Sequence, residues 1–379
     1  MSVEQHFSVP QGDFQLQRYP HHSKETLRAW DAADELLLNY LSELPQPLAQ
    51  PWILNDNFGA LSVPLHRCAP LFNSDSYIGQ QALAHNYALN RLDIAAVTTQ
   101  TPFEVPCAPI KLLLIKIPTT LALLEDQLHR VREHLAPDCL ILGVAMAKHI
   151  HRSTLALFER LLGPTTTSLA KKKARLVFST LDPQLEPGPS PYPSQYQLEQ
   201  TELCISNHAG VFSREKLDIG TRLFLQHLPG SELPRTIIDL GCGNGLVGLI
   251  AAERNPHAPL IFVDDSYRAL ASARDNFGAA FGSERSALFQ ADNCLESFAS
   301  DSADLILSNP PFHQQQAIGD HIAKQMFSDA KRVLKQQGEL WVIGNRHLGY
   351  HVQLRKLFGN CELVATNPKF VVLKAVKGN

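Results

Sequence analysis

Cysteine is scarce and unpaired in this chain: seven residues, at 68, 107, 139, 204, 242, 294 and 361, with no CxxC among them. An odd, scattered set excludes a disulfide framework and a zinc site, and it predicts a reducing, cytoplasmic setting. Long apolar runs are missing too. None approaches the ~20 residues that span a bilayer, so no membrane partner is expected. The opening residues, MSVEQHFSVPQGDF, lack the basic and apolar stretches of a secretory signal. Nor is there a surplus of one charge, with 34 Lys+Arg against 37 Asp+Glu and a formal charge of −3. A polyanionic partner would therefore have to be held by a local patch, because the bulk charge does not attract it. What the chain does have is 44% hydrophobic residues over 379 positions, enough for two domains with a core each. Nothing here sets the oligomeric state; a monomer is the expectation.

One segment divides the sequence. Prolines at 183, 187, 189, 191 and 193 leave few N–H groups for helix or sheet, so residues 183–195 read as a semi-rigid linker. Residues 1–182 and 196–379 then form the two domains, and they look like copies. Trp30-Asp31 matches Leu217-Asp218, the stretch around Asp56 matches that around Asp239, and Ile110–Pro118 matches the stretch ending at Pro311. Lys148-His-Ile matches Arg346-His-Leu, and Leu161-Leu-Gly163 matches Leu357-Phe-Gly359. Five pairs in the same order argue for duplication. In the second copy, apolar runs at 236–240, 260–263, 287–290, 304–308 and 339–343 alternate with helical patterns at 245–254 and 322–335. Strands too apolar to be half exposed imply a mainly parallel sheet covered on both faces, the α/β doubly wound arrangement. The chain ends on two strands, 362–366 and 370–376, joined by Asn-Pro-Lys, so the last one runs antiparallel.

The strongest local signal is Asp239-Leu-Gly241-Cys242-Gly243-Asn-Gly245-Leu-Val-Gly248, after a strand and opening a helix. Glycines there let backbone approach a ligand closely. Gly243, Gly245 and Gly248 spell the dinucleotide pattern GxGxxG. The other reading is an S-adenosylmethionine (SAM) loop, with an acid two residues before the first glycine. Asp239 would repel a pyrophosphate but attract the ammonium of a methionine moiety, which favours SAM. Asp264 at the second strand end suits the ribose hydroxyls, and Asp292 after the third suits the adenine amino group. Each alone could equally cap a helix or sit in a solvated loop.

The fourth strand ends in Ser308-Asn309-Pro310-Pro311-Phe312. Two prolines make a rigid turn and leave the Pro310 carbonyl outside the strand ladder. An asparagine oxygen and that carbonyl together can accept both hydrogens of a planar amine, while Phe312 stacks on the base that carries it. Such a site needs positioning and electrostatics rather than a general base.

This series resembles the class I SAM-dependent methyltransferases that modify amines. With Asn207-His-Ala-Gly-Val211-Phe-Ser213, Leu217-Asp-Ile-Gly-Thr221 and Asn309-Pro-Pro-Phe-His313-Gln-Gln, the chain is similar throughout to the duplicated ribosomal RNA guanine-N2 methyltransferases. Gly163-Pro-Thr-Thr-Thr167 and the ending FGNCELVATNPKFVVLKAVK resemble the group acting on 23S rather than 16S rRNA. The resemblance implies two tandem Rossmann-like domains, SAM as cofactor and guanine(1835) of 23S rRNA as acceptor, with Phe212 and Asp218 bordering the cofactor. The sister group acting on 16S rRNA stays open, as does adenine N6 or a protein glutamine as acceptor, since Asn-Pro-Pro-Phe serves several amines. A non-enzymatic rRNA-binding factor is the reading from another class.

The first copy lacks this chemistry. Opposite the glycine loop it has Asp56-Asn-Phe-Gly-Ala, and opposite Asn-Pro-Pro-Phe it has Lys116-Ile-Pro-Thr119. It is expected neither to bind SAM nor to methylate. Between 130 and 180 it carries nine Lys+Arg against three acids. Lys148, Arg152, Lys171, Lys172, Lys173 and Arg175 are the candidate RNA contacts, although a solvated basic edge would look the same.

Overall fold

Alternating apolar runs and amphipathic stretches give, in the computed structural model, two units that divide between Pro191 and Tyr192. Residues 3–21, 25–199, 201–212, 217–311 and 318–378 are described.

The first unit opens with a hairpin of β1 (His6–Val9) and β2 (Gly12–Gln15), followed by α1 (Ala32–Ser42), β3 (Pro51–Leu54), β4 (Leu71–Asn73) and α2 (Tyr77–Leu89). Then come β5 (Thr98–Gln100), β6 (Ile110–Lys116), α3 (Leu121–Arg132), β7 (Leu135–Met146), α4 (Arg152–Leu161), β8 (Thr165–Thr167) and β9 (Ala174–Ser179). Helix α1 starts where Asp31 accepts from Ala33 N, and Asp34 returns a bond to the Asp31 N–H. That reciprocal cap fixes the helix start, and Ala33, Leu37, Leu38 and Leu41 bury one face of it.

The second unit repeats the plan. Its hairpin is β10 (Ser194–Gln197) and β11 (Cys204–Asn207), so Ser194 and Gln195 of the 183–195 segment belong to a strand. There follow α5 (Ile219–His227), β12 (Ile237–Leu240), α6 (Leu246–Arg254), β13 (Leu260–Asp264), α7 (Tyr267–Phe281), β14 (Ala287–Ala291) and β15 (Ala303–Ser308). The unit closes with α8 (Ile318–Val333), β16 (Leu334–Asn345), α9 (Tyr350–Phe358), β17 (Glu362–Thr366) and β18 (Phe370–Val376). The helix expected over 322–335 thus ends at Val333, because Leu334 already pairs with Ala303 in the sheet.

The sheet orders are β5-β4-β3-β6-β7-β9-β8 and β14-β13-β12-β15-β16-β18-β17, the same order twice. In both, only the second strand of the closing hairpin runs antiparallel to its neighbours. In the second unit α5, α6 and α7 pack on one face through Phe224, Leu249 and Phe277, and α8 and α9 cover the other through Phe327 and Leu354. A mainly parallel sheet needs this double cover, since neither face of its strands is polar. No helix among the described residues is long and apolar enough to cross a membrane.

Strand register aligns the copies residue by residue. Leu54 pairs with Asn73 and Ile115, as Leu240 pairs with Val263 and Ser308. Ile53 therefore stands where Asp239 does, Ser74 where Asp264 does, and Lys116 where Asn309 does. This corrects the match of Asp56 with Asp239: Asp56 lies two residues past its strand, level with Cys242, and Phe58 stands opposite Asn244 rather than a glycine. The sequence misleads here because the first unit has no counterpart of α6. Residues 56–65 turn tightly instead, with Asp56 Oδ2 accepting from Leu61 N, Ser62 N and Ser62 Oγ.

Candidate active site

At the end of β12 the chain must turn at once, and the backbone supplies the means. Gly241 and Cys242 both donate to Val263 O, at 2.8 and 3.0 Å, and Gly243 N donates to Asp264 Oδ2 at 2.9 Å. Gly243 has φ +55° and its missing Cβ would point into open space, so the loop presents bare backbone there. Gly248 is needed for another reason: a Cβ there would lie 2.3 Å from the Phe262 ring. That close approach lets Gly248 N donate to Asp239 Oδ2 at 2.7 Å.

Asp239 is 2% exposed, and burial pushes its carboxyl up to about 8. Burial also raises Asp264 to about 6, against the bonds it accepts from Ser266 N and Gly243 N. The Cys242 thiol is buried and held well above its usual range for the same reason. Asp292 is 2% exposed and serves the loop after β14: its Oδ2 accepts from Ser297 N and Oγ, and its Oδ1 from Asn293 N.

Asn309 follows β15. Its Nδ2 donates to Thr221 Oγ1 at 3.1 Å, while its Oδ1 is buried with no partner among the described residues. Thr221 is itself fixed, because its N–H donates to Asp218, the N-cap of α5. Asp218 therefore acts as a helix cap, and Phe212 is 58% exposed. Pro310 is buried and Pro311 half-buried. Phe312 lies outside the described residues. The structure thus gathers Asp239, Gly241, Cys242, Gly243, Asp264, Asp292, Asn309 and Pro310 at the carboxyl ends of neighbouring strands, where ligands bind in open α/β sheets.

Sequence reasoning missed the polar frame behind the loop. Asn276 of α7 accepts from Ser206 N and donates to the Ser206 and Asn244 carbonyls. Asn244 donates to Asn207 Oδ1, and His208 N donates to Ser272 Oγ. The signal was three polar residues, Arg268, Ser272 and Asn276, on the buried face of one helix. This frame ties β11 and the glycine loop to α7.

Two family models match the chain, the RLMG N-terminal domain over residues 4–183 and the methyltransferase small domain over 202–374. A relative from Aeromonas salmonicida named ribosomal RNA large subunit methyltransferase G is 50% identical over 96% of both chains. One of the same name from Streptomyces griseus is 47% identical over 98% of this chain and 99% of its own. The chain belongs to the ribosomal RNA large subunit methyltransferase G family. A solved Thermus thermophilus structure, the 16S rRNA N2 G1207 methyltransferase in complex with AdoMet and guanosine, aligns with a TM-score of 0.74. It covers 98% of this chain and 97% of its own at 20% identity, which establishes the shared class I fold in both units.

The residues of this family member fit SAM. A bare glycine loop leaves room where Gly243 carries no Cβ, and two acids with raised pKa values, Asp239 buried and Asp264 half-buried, stand at the strand ends beside it. An orphaned Asn309 oxygen faces the same strand ends.

The basic residues of the first unit divide into two groups. Ala147 N donates to Lys173 O at 2.7 Å, which brings the turn holding Lys148 against the β8–β9 hairpin turn that carries Lys171–Lys173. Lys148, Arg152, Lys171 and Lys173 are exposed, and Arg175 is half-buried on β9. Lys172 is committed to Glu35 at 2.7 Å. Arg130 pairs with Asp126, Arg160 with Glu125, and Arg132 donates to carbonyls of Leu161, Leu162, Asp182 and Leu185. The charge count from 130 to 180 overstates the patch, because the acids that neutralise it lie outside that window.

Proposed function

We propose that this chain methylates the exocyclic N2 amine of a guanine in 23S rRNA, by the family resemblance guanine(1835), in the cytoplasm. The observation that carries this reading is the buried, unpartnered Oδ1 of Asn309 beside a bare glycine loop. An acceptor already stripped of water binds an entering N–H more strongly than one that must first release solvent.

Asp239, Gly241, Cys242 and Gly243 would hold the methionine end of SAM, and Asp264 the ribose. Asp292 keeps one lone pair on Oδ1 for the adenine amine. When bound, SAM supplies an electrophilic methyl group on a sulfonium. Everything else is positioning by the chain. Asn309 Oδ1 and the Pro310 carbonyl accept the two amine hydrogens and localise the nitrogen lone pair. Thr221 sets which way round the Asn309 amide sits, so that its oxygen faces the amine. Pro311 stiffens the turn, and Phe312 stacks on the base. Lys148, Arg152, Lys171, Lys173 and Arg175 of the first unit would contact RNA phosphates.

The test is methyl transfer from labelled SAM to rRNA extracted from a strain lacking the gene, followed by mass-spectrometric mapping. Label on one guanine N2 of 23S rRNA is expected. Label confined to 16S rRNA, to adenine or to protein overturns the assignment.

A further inference from the structure

The acceptor side of the site extends beyond the Asn309–Pro310 turn. Ser308 pairs with Val342, so Asn309 is level with Ile343, and Asn345 ends β16 two residues further on. Alternation puts Trp341, Ile343 and Asn345 on one face of the strand. Trp341 and Ile343 pack in the same core as Leu305, Leu307 and Phe224 of α5. Asn309 is on that face too, since its Nδ2 reaches Thr221 of α5. The two amides therefore stand on the same face of adjacent strands, on the order of 8 Å apart.

Asn345 is 6% exposed, and its Oδ1 is buried with no hydrogen-bond partner among the described residues. Asparagine before a helical turn ordinarily caps it. Asn345 precedes the turn Arg346–Leu348 and makes no side-chain cap bond. The first unit gives an internal comparison. Ile115 pairs with Gly143 there, as Ser308 does with Val342, so Met146 stands where Asn345 does. The copy that lost Asn309 to Lys116 has also lost this amide. A buried amide without a structural bond, kept only beside the amine-holding asparagine, points to a ligand.

We propose that Asn345 determines base specificity: Asn309 holds the amine and Asn345 reads the rest of the Watson–Crick edge. This rests on the guanine reading above. Next to its N2 amine, guanine presents an N1–H donor and the O6 acceptor. The Asn345 amide offers the complement, Oδ1 for N1–H and Nδ2 for O6. Adenine presents a lone pair at N1, which would leave the Asn345 oxygen facing another acceptor.

Three RNAs that differ only in the target base test this: guanine, 2-aminopurine and 2,6-diaminopurine. All carry the N2 amine, but the two analogues lack N1–H and O6. Wild-type kcat/KM should favour guanine by on the order of 1,000-fold. Asn345→Ala should lose about 100-fold on guanine while its rates on the analogues and its SAM affinity stay within about twofold. Asn345→Leu, of similar size but able neither to accept from N1–H nor to donate to O6, should match Asn345→Ala. A wild-type enzyme that accepts 2-aminopurine as readily as guanine overturns the proposal without any variant. So does an Asn345→Ala enzyme that keeps its discrimination, or one that loses SAM binding and all bases equally, the mark of a structural role. If the wild type fails on guanine itself, the functional reading falls instead.

Discussion

Lys116 Nζ lies 2.6 Å from Asp34 Oδ1, and this ion pair occupies in the first unit the place where Asn309 donates to Thr221 in the second. Lys116 follows from strand register, and Asp34 is the third residue past the Asp31 cap, as Thr221 is past Asp218. A hydrogen bond that leaves an oxygen free has been exchanged for a charge pair that leaves nothing to offer an amine.

Removing the Lys116 charge tests how tightly that exchange is locked in. Asp34 is fully buried, and burial already pushes it up to about 6. Lys116→Met should destabilise the first unit by about 3 kcal/mol at pH 7.5, because a buried carboxylate is left without its partner. Without Lys116, which lowers it, Asp34 should titrate above 6, so the loss should shrink as pH falls through that higher value and level off below about 6, where Asp34 takes up a proton in both proteins. The double variant Lys116→Asn, Asp34→Thr should recover much of it, as read by urea denaturation at both pH values.

Asn309→Ala should lower kcat by about 1,000-fold and change the SAM dissociation constant less than threefold, as loss of a preorganised electrostatic contact does. Calorimetry and single-turnover assays separate the two. Unchanged turnover would remove Asn309 from the mechanism.

SAM affinity should depend on pH through Asp239. Its raised pKa of about 8 means that it carries a proton at neutral pH, whereas pairing with an ammonium requires the carboxylate. Binding should therefore release close to one proton at pH 7, and affinity should weaken by up to tenfold per unit below pH 8. Titration calorimetry in two buffers of different ionisation enthalpy counts that proton. Asp239→Asn should abolish the release.

The basic patch predicts an asymmetry among adjacent lysines. Replacing Lys148, Lys171 and Lys173 with Ala should flatten the log–log salt dependence of RNA binding by about 2 and spare SAM affinity. Lys172→Ala alone should have a much smaller effect, since that side chain is spent on Glu35. Filter binding across salt concentrations measures both.

What could be read from the sequence was whatever is written locally. Asp239, Asp264, Asp292 and Asn309 each end or follow an apolar run, and strand ends are visible in one dimension. The closing hairpin was legible because Asn367-Pro-Lys leaves room for nothing else. What stayed hidden depends on register between strands. Asp56 mimics the spelling of Asp239 and even its work, capping Ser62 as Asp239 caps Gly248, yet it lies on a loop rather than in a strand. Thr221, Asn276 and Asn345 were illegible for a related reason: the groups they face lie 32 to 88 residues away in the chain, or belong to a ligand.

The first unit has filled the space that the glycine loop leaves open in the second. Asn55, at φ +65° where Gly241 stands, exchanges amide hydrogen bonds of 3.0 and 2.7 Å with Gln127 and donates a third to Lys116 O. Building the second unit's site there would require opening this clasp while replacing Ile53, Ser74, Lys116 and Met146, and each single step would sacrifice stability. Such a half works as a ratchet: substitutions can accumulate on its surface freely, but a glycine loop and an amine-accepting turn cannot be reached from it by single stable steps.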